Sequence, residues 1–107
     1  MFAVIYRSYV KSEKEEEYQI LWEHIAKYFV SKRGAIGSCL HKTEEGYWLA
    51  YSRWPNREIR DSSWPGEDAP SEILPENIRQ AIINIKDCTD QTRKFPEICM
   101  DVKNDFL

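Results

Sequence analysis

Apolar residues alternate with polar ones in several stretches of the chain, and this pattern predicts four strands. Residues 2–10 are rich in β-branched and aromatic side chains at both even and odd positions, which predicts a strand covered on both faces. Two more strands are predicted over 36–43 and 47–54. Gly46, in the short loop between them, suits an antiparallel hairpin. A last strand of alternating residues is predicted to begin at Ile98, shortly after Pro96.

Apolar residues recur at helical spacing in two other regions. The first predicted helix opens with Ser12 and Glu15, a capping-box pattern, and ends at Gly34. Its core-facing stripe comprises Tyr18, Leu21, Trp22, Ile25 and Phe29. Pro75 suits the first turn of a second helix. The stripe of that helix comprises Ile78, Ala81, Ile82, Ile85, Cys88 and Thr89.

The region between the hairpin and the second helix is polar. Pro55 ends the preceding strand, and Asn56 caps a short helix predicted over 56–63. Residues 64–71 are rich in turn formers and lack periodicity, so we predict a long surface loop there. A loop of this length next to a pocket is suited to act as a lid.

The order of these elements predicts an α+β fold. Strand, helix, strand, strand, helices and strand give a ferredoxin-like split βαβ arrangement, an antiparallel sheet with the helices on one face. A chain of 107 residues has the usual size of one domain, so we predict a single domain over 1–107. The face without helices also carries apolar residues, and a second copy is the simplest cover. We therefore expect a homodimer in which helices cover Tyr6 and a second sheet covers Ile5.

Composition narrows the class of partner. The net charge is -3, and lysines and arginines are scattered among acids, so we expect no nucleic-acid partner. No apolar run is long enough for a membrane span, and the first residues lack the pattern of a cleavable export signal. The three cysteines form no metal-binding or disulfide motif. We expect buried, reduced thiols in a cytoplasmic protein.

Three stretches of the chain resemble the antibiotic biosynthesis monooxygenase family, whose members are dimeric α+β barrels. They are a first strand ending Val10-Lys11 before a Glu-rich helix, a hairpin running into Tyr51-Ser52-Arg53-Trp54, and a short helix ending at Trp64. The resemblance spans nearly the whole chain. It implies two stacked sheets, with a pocket between sheet and helices in each protomer. Some members oxidise anthrones and quinols without metal or flavin, so the resemblance implies no cofactor.

Another branch of the family degrades haem, and the sequence departs from its pattern. That branch uses an Asn from the first strand, a Trp from the short helix and a His on the following helix. Tyr6 occupies the Asn position, Trp64 can stand for the Trp, and no histidine follows His41. Without an axial imidazole, haem chemistry of that type is not expected.

Several side chains are candidates for a site. Tyr6 shares its strand face with Phe2 and Val4, so its hydroxyl is our candidate catalytic group, for orienting a substrate oxygen or relaying a proton; a core tyrosine bonded to backbone is the alternative. The candidate substrate-binding residues are Trp64, Tyr51, Arg53, Trp54, His24 and His41. For these, core packing, dimer contacts, ion pairs and surface histidines are the competing interpretations. No set of side chains has metal-ligand spacing, so we predict no metal.

Two classes of function remain open. The first is a cofactor-independent monooxygenase that acts on a small aromatic or quinol-like substrate. The second is a non-catalytic protein that binds a small apolar metabolite, or a lyase, isomerase or stress protein of the same fold. The residues favour the second in one respect, because no general base is evident among them.

Overall fold

The computed structural model describes residues 1–63 and 74–106, which form five strands and three α-helices. In chain order these are β1 (Phe2–Val10), α1 (Glu15–Lys32), β2 (Gly37–Lys42), β3 (Trp48–Trp54), α2 (Arg57–Ser63), α3 (Glu76–Asp87), β4 (Thr89–Lys94) and β5 (Ile98–Asp101). The predicted α+β class, with an antiparallel sheet and a ferredoxin-like arrangement, is confirmed.

The strand β1 lies at the centre of the sheet. One edge of β1 pairs with β3, which places Ile5 opposite Tyr51. The strand β2 pairs with the other side of β3 and forms an edge of the sheet. The other edge of β1 meets two strands in turn, β5 along the first half of β1 and β4 near the end. All of these pairings are antiparallel, so residues paired across neighbouring strands share one face of the sheet.

The strand β4 was not predicted, because its sequence TDQTRK has no apolar alternation. It forms because its backbone pairs with the end of β1, where Ser8 lies opposite Lys94 and Val10 opposite Thr89, with a register shift between the two pairs. Thr89 was predicted to continue the helical stripe, which is wrong, since α3 ends at Asp87. Between β4 and β5 the chain leaves the ladder over residues 95–97.

The local signals at turns were largely correct. Gly34 and Gly46 both have positive φ, and the Asn56 side chain accepts a hydrogen bond of 2.8 Å from the Ile59 backbone N–H. The capping box at Ser12 is wrong. A single turn of 3-10 helix occupies Ser12–Lys14, and neither it nor α1 has a side-chain cap.

The two faces of the sheet have different surroundings. We call the face covered by the helices the inner face. The even-numbered residues of β1 point to this face. Among them, Phe2 and Val4 pack with Phe29 of α1 and Ile78 of α3 in the main core. We call the opposite face the outer face. It carries half-buried or exposed side chains, among them Ile5, Arg7, Tyr9, Leu49, Tyr51, Arg53, Ile98 and Met100.

Candidate functional site

A cavity of about 190 Å³ lies between the inner face and the helices α1 and α3. The inner face of the sheet forms the floor of this cavity. Its side chains there are small, namely Ser38 of β2 and Ala50 and Ser52 of β3, so they leave space below the helices. Aromatic and aliphatic side chains form its walls. They include Tyr18, Trp22, Ile25, Phe29, Trp54, Ile82 and Ile85.

Polar side chains also line the cavity. The Ser38 and Ser52 hydroxyl oxygens are 3.0 Å apart, so these two residues satisfy one another. Trp54 is 3% exposed, and its indole Nε1 is buried without a hydrogen-bond partner in the described part of the chain. Because a buried donor without an acceptor costs about 1–3 kcal/mol, it is a group that a bound oxygen would satisfy.

Tyr6 of β1 lines the cavity and is held by a buried arginine. Arg60 of α2 is 7% exposed and donates from Nη2 to the Tyr6 hydroxyl over 3.1 Å and to Glu97 Oε2 over 2.6 Å. Burying a guanidinium requires such an anionic partner. Glu97 belongs to the segment between β4 and β5 and directly precedes Ile98, the first residue of β5.

Tyr6 is a neutral phenol across the physiological range. Its burial raises its pKa to about 12, and the opposing effect of Arg60 is smaller. Burial lowers the pKa of Arg60, but its hydrogen bonds to Glu97 and Tyr6 outweigh this and raise it above its ordinary value. Tyr6 therefore suits hydrogen bonding to a ligand better than proton abstraction.

Asp90 is a carboxylate in the lining of this cavity. Hydrogen bonds from the Thr92 side chain and backbone, together with one from Arg93, lower its pKa to about 2. A carboxylate with so low a pKa is a weak base. The described lining contains no histidine, so the site lacks an evident general base there.

The structure brings together two of the predicted site residues, since Tyr6 and Trp54 both line the cavity. Tyr51, Arg53 and His41 instead lie on the outer face, opposite to the floor residues with which they alternate. Arg53 forms an ion pair with Asp105, and the His41 ring contacts the Leu49 carbonyl. These three residues therefore do not line the cavity of the described chain, and their role in substrate binding stays a prediction.

The remaining candidates lie elsewhere. His24 is exposed on α1, and its Nε2 is 3.5 Å from the Asn77 side chain, so it does not line the cavity. Trp64 and the predicted lid over 64–71 lie outside the described residues. Of the cysteines, Cys88 is buried as expected, whereas Cys39 is exposed; all three are unpaired.

Sequence reasoning missed Arg60 and Glu97, which hold Tyr6. They lie 37 positions apart, and neither belongs to a recognisable motif. The spacing of Ile59 and Ser63 indicates that one side of the short helix is buried, but it does not identify a carboxylate partner for Arg60.

The described residues contain no group of three or more His, Cys, Asp or Glu side chains that could hold a metal ion. In addition, no helix among them has the length and apolar character needed to cross a membrane.

Comparison with solved structures identifies the fold. An antibiotic biosynthesis monooxygenase matches with a TM-score of 0.71 and 16% identity, covering 97% of this chain and 100% of that chain. A conserved protein from Methanosarcina mazei Go1 matches with a TM-score of 0.71 and 15% identity, over 95% and 92%. SnoaB, a cofactor-independent oxygenase from Streptomyces nogalater, matches with a TM-score of 0.71 and 7% identity, over 98% and 95%.

These matches confirm that the chain has the fold of antibiotic biosynthesis monooxygenase structures over nearly its whole length. No protein-family model matches the sequence, and no curated protein does. Identities of 7–16% show a shared fold and do not identify a reaction.

Proposed function

We propose that this protein is a cofactor-independent monooxygenase that oxidises a small aromatic or quinol-like substrate in the cavity. The observation that carries the proposal is the Tyr6 hydroxyl, bonded to buried Arg60 in the wall of an apolar, aromatic-lined cavity. The fold shared with SnoaB, described as a cofactor-independent oxygenase, supports it.

The reaction that fits this site begins with an acidic substrate. An anthrone-like CH₂ group loses a proton, and the resulting carbanion passes electrons to O₂ to form a peroxide at that carbon. The O–O bond then breaks, so that the carbon becomes a carbonyl and the second oxygen atom leaves as water. One O₂ is consumed per substrate, and the substrate supplies all the electrons.

Tyr6 and Trp54 have distinct roles in this proposal. The Tyr6 hydroxyl, positioned by Arg60, hydrogen-bonds the substrate oxygen on which negative charge develops. The Trp54 indole N–H donates to a second oxygen of the substrate, which satisfies that buried group. Since the described lining has no evident base, the substrate itself must be acidic enough to ionise, as quinols and anthrones are.

The proposal includes a homodimer acting in the cytoplasm. The outer face presents Ile5, Tyr51 and Ile98 side by side, and Ile98 is 38% exposed in the single chain. A contiguous apolar sheet face of this kind is covered in stable proteins, and the matching face of a second copy provides that cover. The three unpaired cysteines suit a reducing compartment.

Oxygen uptake measured against a panel of anthrones and quinols tests the activity. The expected result is stoichiometric O₂ consumption with at least one substrate, and a loss of about tenfold or more in kcat for Tyr6→Phe. Tyr47→Phe removes a hydroxyl on the outer face and serves as the matched control, with unchanged kcat. If the wild-type protein consumes O₂ no faster than the Tyr6→Phe variant with every substrate of the panel, the monooxygenase proposal fails.

A second candidate function is non-catalytic binding of a small aromatic metabolite. It is favoured by the lack of an evident general base in the described lining, together with the neutral state of Tyr6. Mass spectrometry of ligands that remain bound through purification separates the two. An unreacted, air-stable aromatic compound recovered in stoichiometric amount supports binding, whereas a recovered quinone supports oxidation.

A further inference from the structure

The charged residues that line the cavity are unequal in sign. Four are cationic, namely Arg7, Lys86, Arg93 and Lys94, and one, Asp90, is acidic. Asp90 is already paired with Arg93 over 2.8 Å. The chain as a whole carries a net charge of -3, so this cluster has the opposite sign to the rest of the molecule. We call these four cations the cationic mouth.

The cationic mouth has a defined position relative to Tyr6. Lys94 lies opposite Ser8, so it shares the inner face, and Ser8 is one same-face step from Tyr6 on β1, roughly 7 Å along the strand. Arg7 lies at the break between β4 and β5, where its Nη2 donates to the Pro96 carbonyl over 3.2 Å. No carboxylate of the described residues forms an ion pair with Lys94 or Arg7, so both retain their attraction for an anion.

The cavity is small, and apolar side chains form much of its lining. Its volume of about 190 Å³ is below the roughly 300–1,000 Å³ that is typical of pockets for drug-sized ligands. A flat molecule of one to three fused rings suits this space, with its rings between Trp22 and Ala50. An acidic group on one end of such a molecule would then lie near Lys94.

We propose that the ligand of this cavity is an aromatic carboxylate of one to three rings whose carboxylate binds at the cationic mouth. This inference rests on the proposed function in taking the cavity as the substrate site. It adds that the substrate is anionic, with its acidic group roughly 7 Å from the strand position of Tyr6.

Isothermal titration calorimetry with naphthoate and with its neutral methyl ester tests the charge preference directly. At low salt the wild-type protein is expected to bind naphthoate about fivefold or more tightly than the ester. Lys94→Gln and Arg7→Gln are each expected to weaken naphthoate binding about fivefold and to leave the ester unchanged. Lys103→Gln removes the same charge as Lys94→Gln but from outside the cavity, and it should change neither affinity.

The outcomes separate this inference from the proposed function. Equal binding of acid and ester overturns the anionic substrate and leaves the cavity as the site. If naphthoate binds more tightly than the ester but neither Lys94→Gln nor Arg7→Gln weakens its binding, the carboxylate binds elsewhere. That result also overturns the inference. If neither compound binds, the aromatic carboxylate is overturned as the ligand, whereas oxygen uptake with the anthrone and quinol panel still decides the monooxygenase. Naphthoate binding at the cationic mouth in a protein that never consumes O₂ overturns the monooxygenase alone.

Discussion

The inner and outer faces of the sheet are built from the same strands but differ in the size of their side chains and in whether helices cover them. The inner face is covered by helices, yet the small residues Ser38, Ala50 and Ser52 leave space under them. The outer face has large, half-buried side chains, such as Ile5 and Tyr51, and no helix of the described residues packs on it. The inner face therefore has helices above small residues, whereas the outer face has large residues without helices.

This difference separates two tasks along every strand. Because successive side chains point to opposite faces, Ala50 can shape a cavity while its neighbour Tyr51 is available for assembly. Apart from Arg7, which reaches the cavity at the break between β4 and β5, substitutions on the inner face should therefore affect ligand binding, and substitutions on the outer face should affect the oligomeric state. The following experiments examine that separation.

The largest effect is expected from a charge placed on the outer face. Ile5→Lys would bury an unpaired cation between protomers, which costs about 3–5 kcal/mol, and should weaken the dimer about 100- to 4,000-fold. Sedimentation equilibrium measures this. Ile20→Lys, on the exposed side of α1 where Ile20 is 63% exposed, is the matched control and should stay dimeric. A wild-type monomer at micromolar concentration would contradict the assignment of the outer face.

A smaller effect is expected from Arg60→Ala on the inner face. The substitution removes the hydrogen bonds that Arg60 donates to the Tyr6 hydroxyl and the Glu97 carboxylate, and since Glu97 is 37% exposed we expect a loss of about 2 kcal/mol. Urea unfolding at equal protomer concentration measures it. Arg79→Ala breaks the exposed pair with Glu76 and should cost no more than about 0.5 kcal/mol. Equal losses would mean that the buried pair does not hold the site.

Filling the cavity should affect binding more than stability. Ala50→Leu occupies the floor, so we expect naphthoate methyl ester to bind about tenfold more weakly while unfolding free energy changes by less than about 1 kcal/mol. Ala81→Leu enlarges a packed core position outside the cavity and should cost about 1–3 kcal/mol. Calorimetry and urea unfolding of both variants check this. A similar loss of stability in both would argue that no cavity exists beneath α1.

The smallest effect is expected at alkaline pH. Burial raises the pKa of both Tyr6 and Tyr18 from 10.0 to about 12, so the folded state holds these protons more tightly than the unfolded state. Their contribution to stability is complete below pH 10 and is lost as the pH rises towards 12. Replacing Tyr18 by Phe should reduce this fall by about 1 kcal/mol midway through the range. An unchanged pH dependence in the Tyr6→Phe, Tyr18→Phe double variant would contradict it.

Much of the fold could be predicted from the sequence because its signals are local. The two-faced alternation of β1, the helical stripe ending at Gly34, the hairpin at Gly46 and the cap at Asn56 each depend on neighbouring residues. The strand β4 could not be predicted in this way. Its polar residues form a strand only because the edge of β1 is available to pair with them.

The site was less predictable, since it depends on residues far apart in the chain. Tyr6 was identified from the face it shares with Phe2 and Val4. Its partner Arg60 and the counter-ion Glu97 have no sequence signal, and the cavity depends on the register that places Ser38 against Ser52. Tyr51 and Arg53 were grouped with Trp54 as neighbours in sequence, although alternation places them on the other face.

The break between β4 and β5 affects how a ligand can enter and leave. Residues on both sides of it, Arg7 and Phe95 towards the outer face and Ser8 towards the inner, line the same cavity. We expect a small molecule to enter and leave on the Ser8 side of this edge, by rotation of side chains rather than by separation of α1 from the sheet. The rate of ligand exchange would then depend on the side chains at the break, while the main core stays packed.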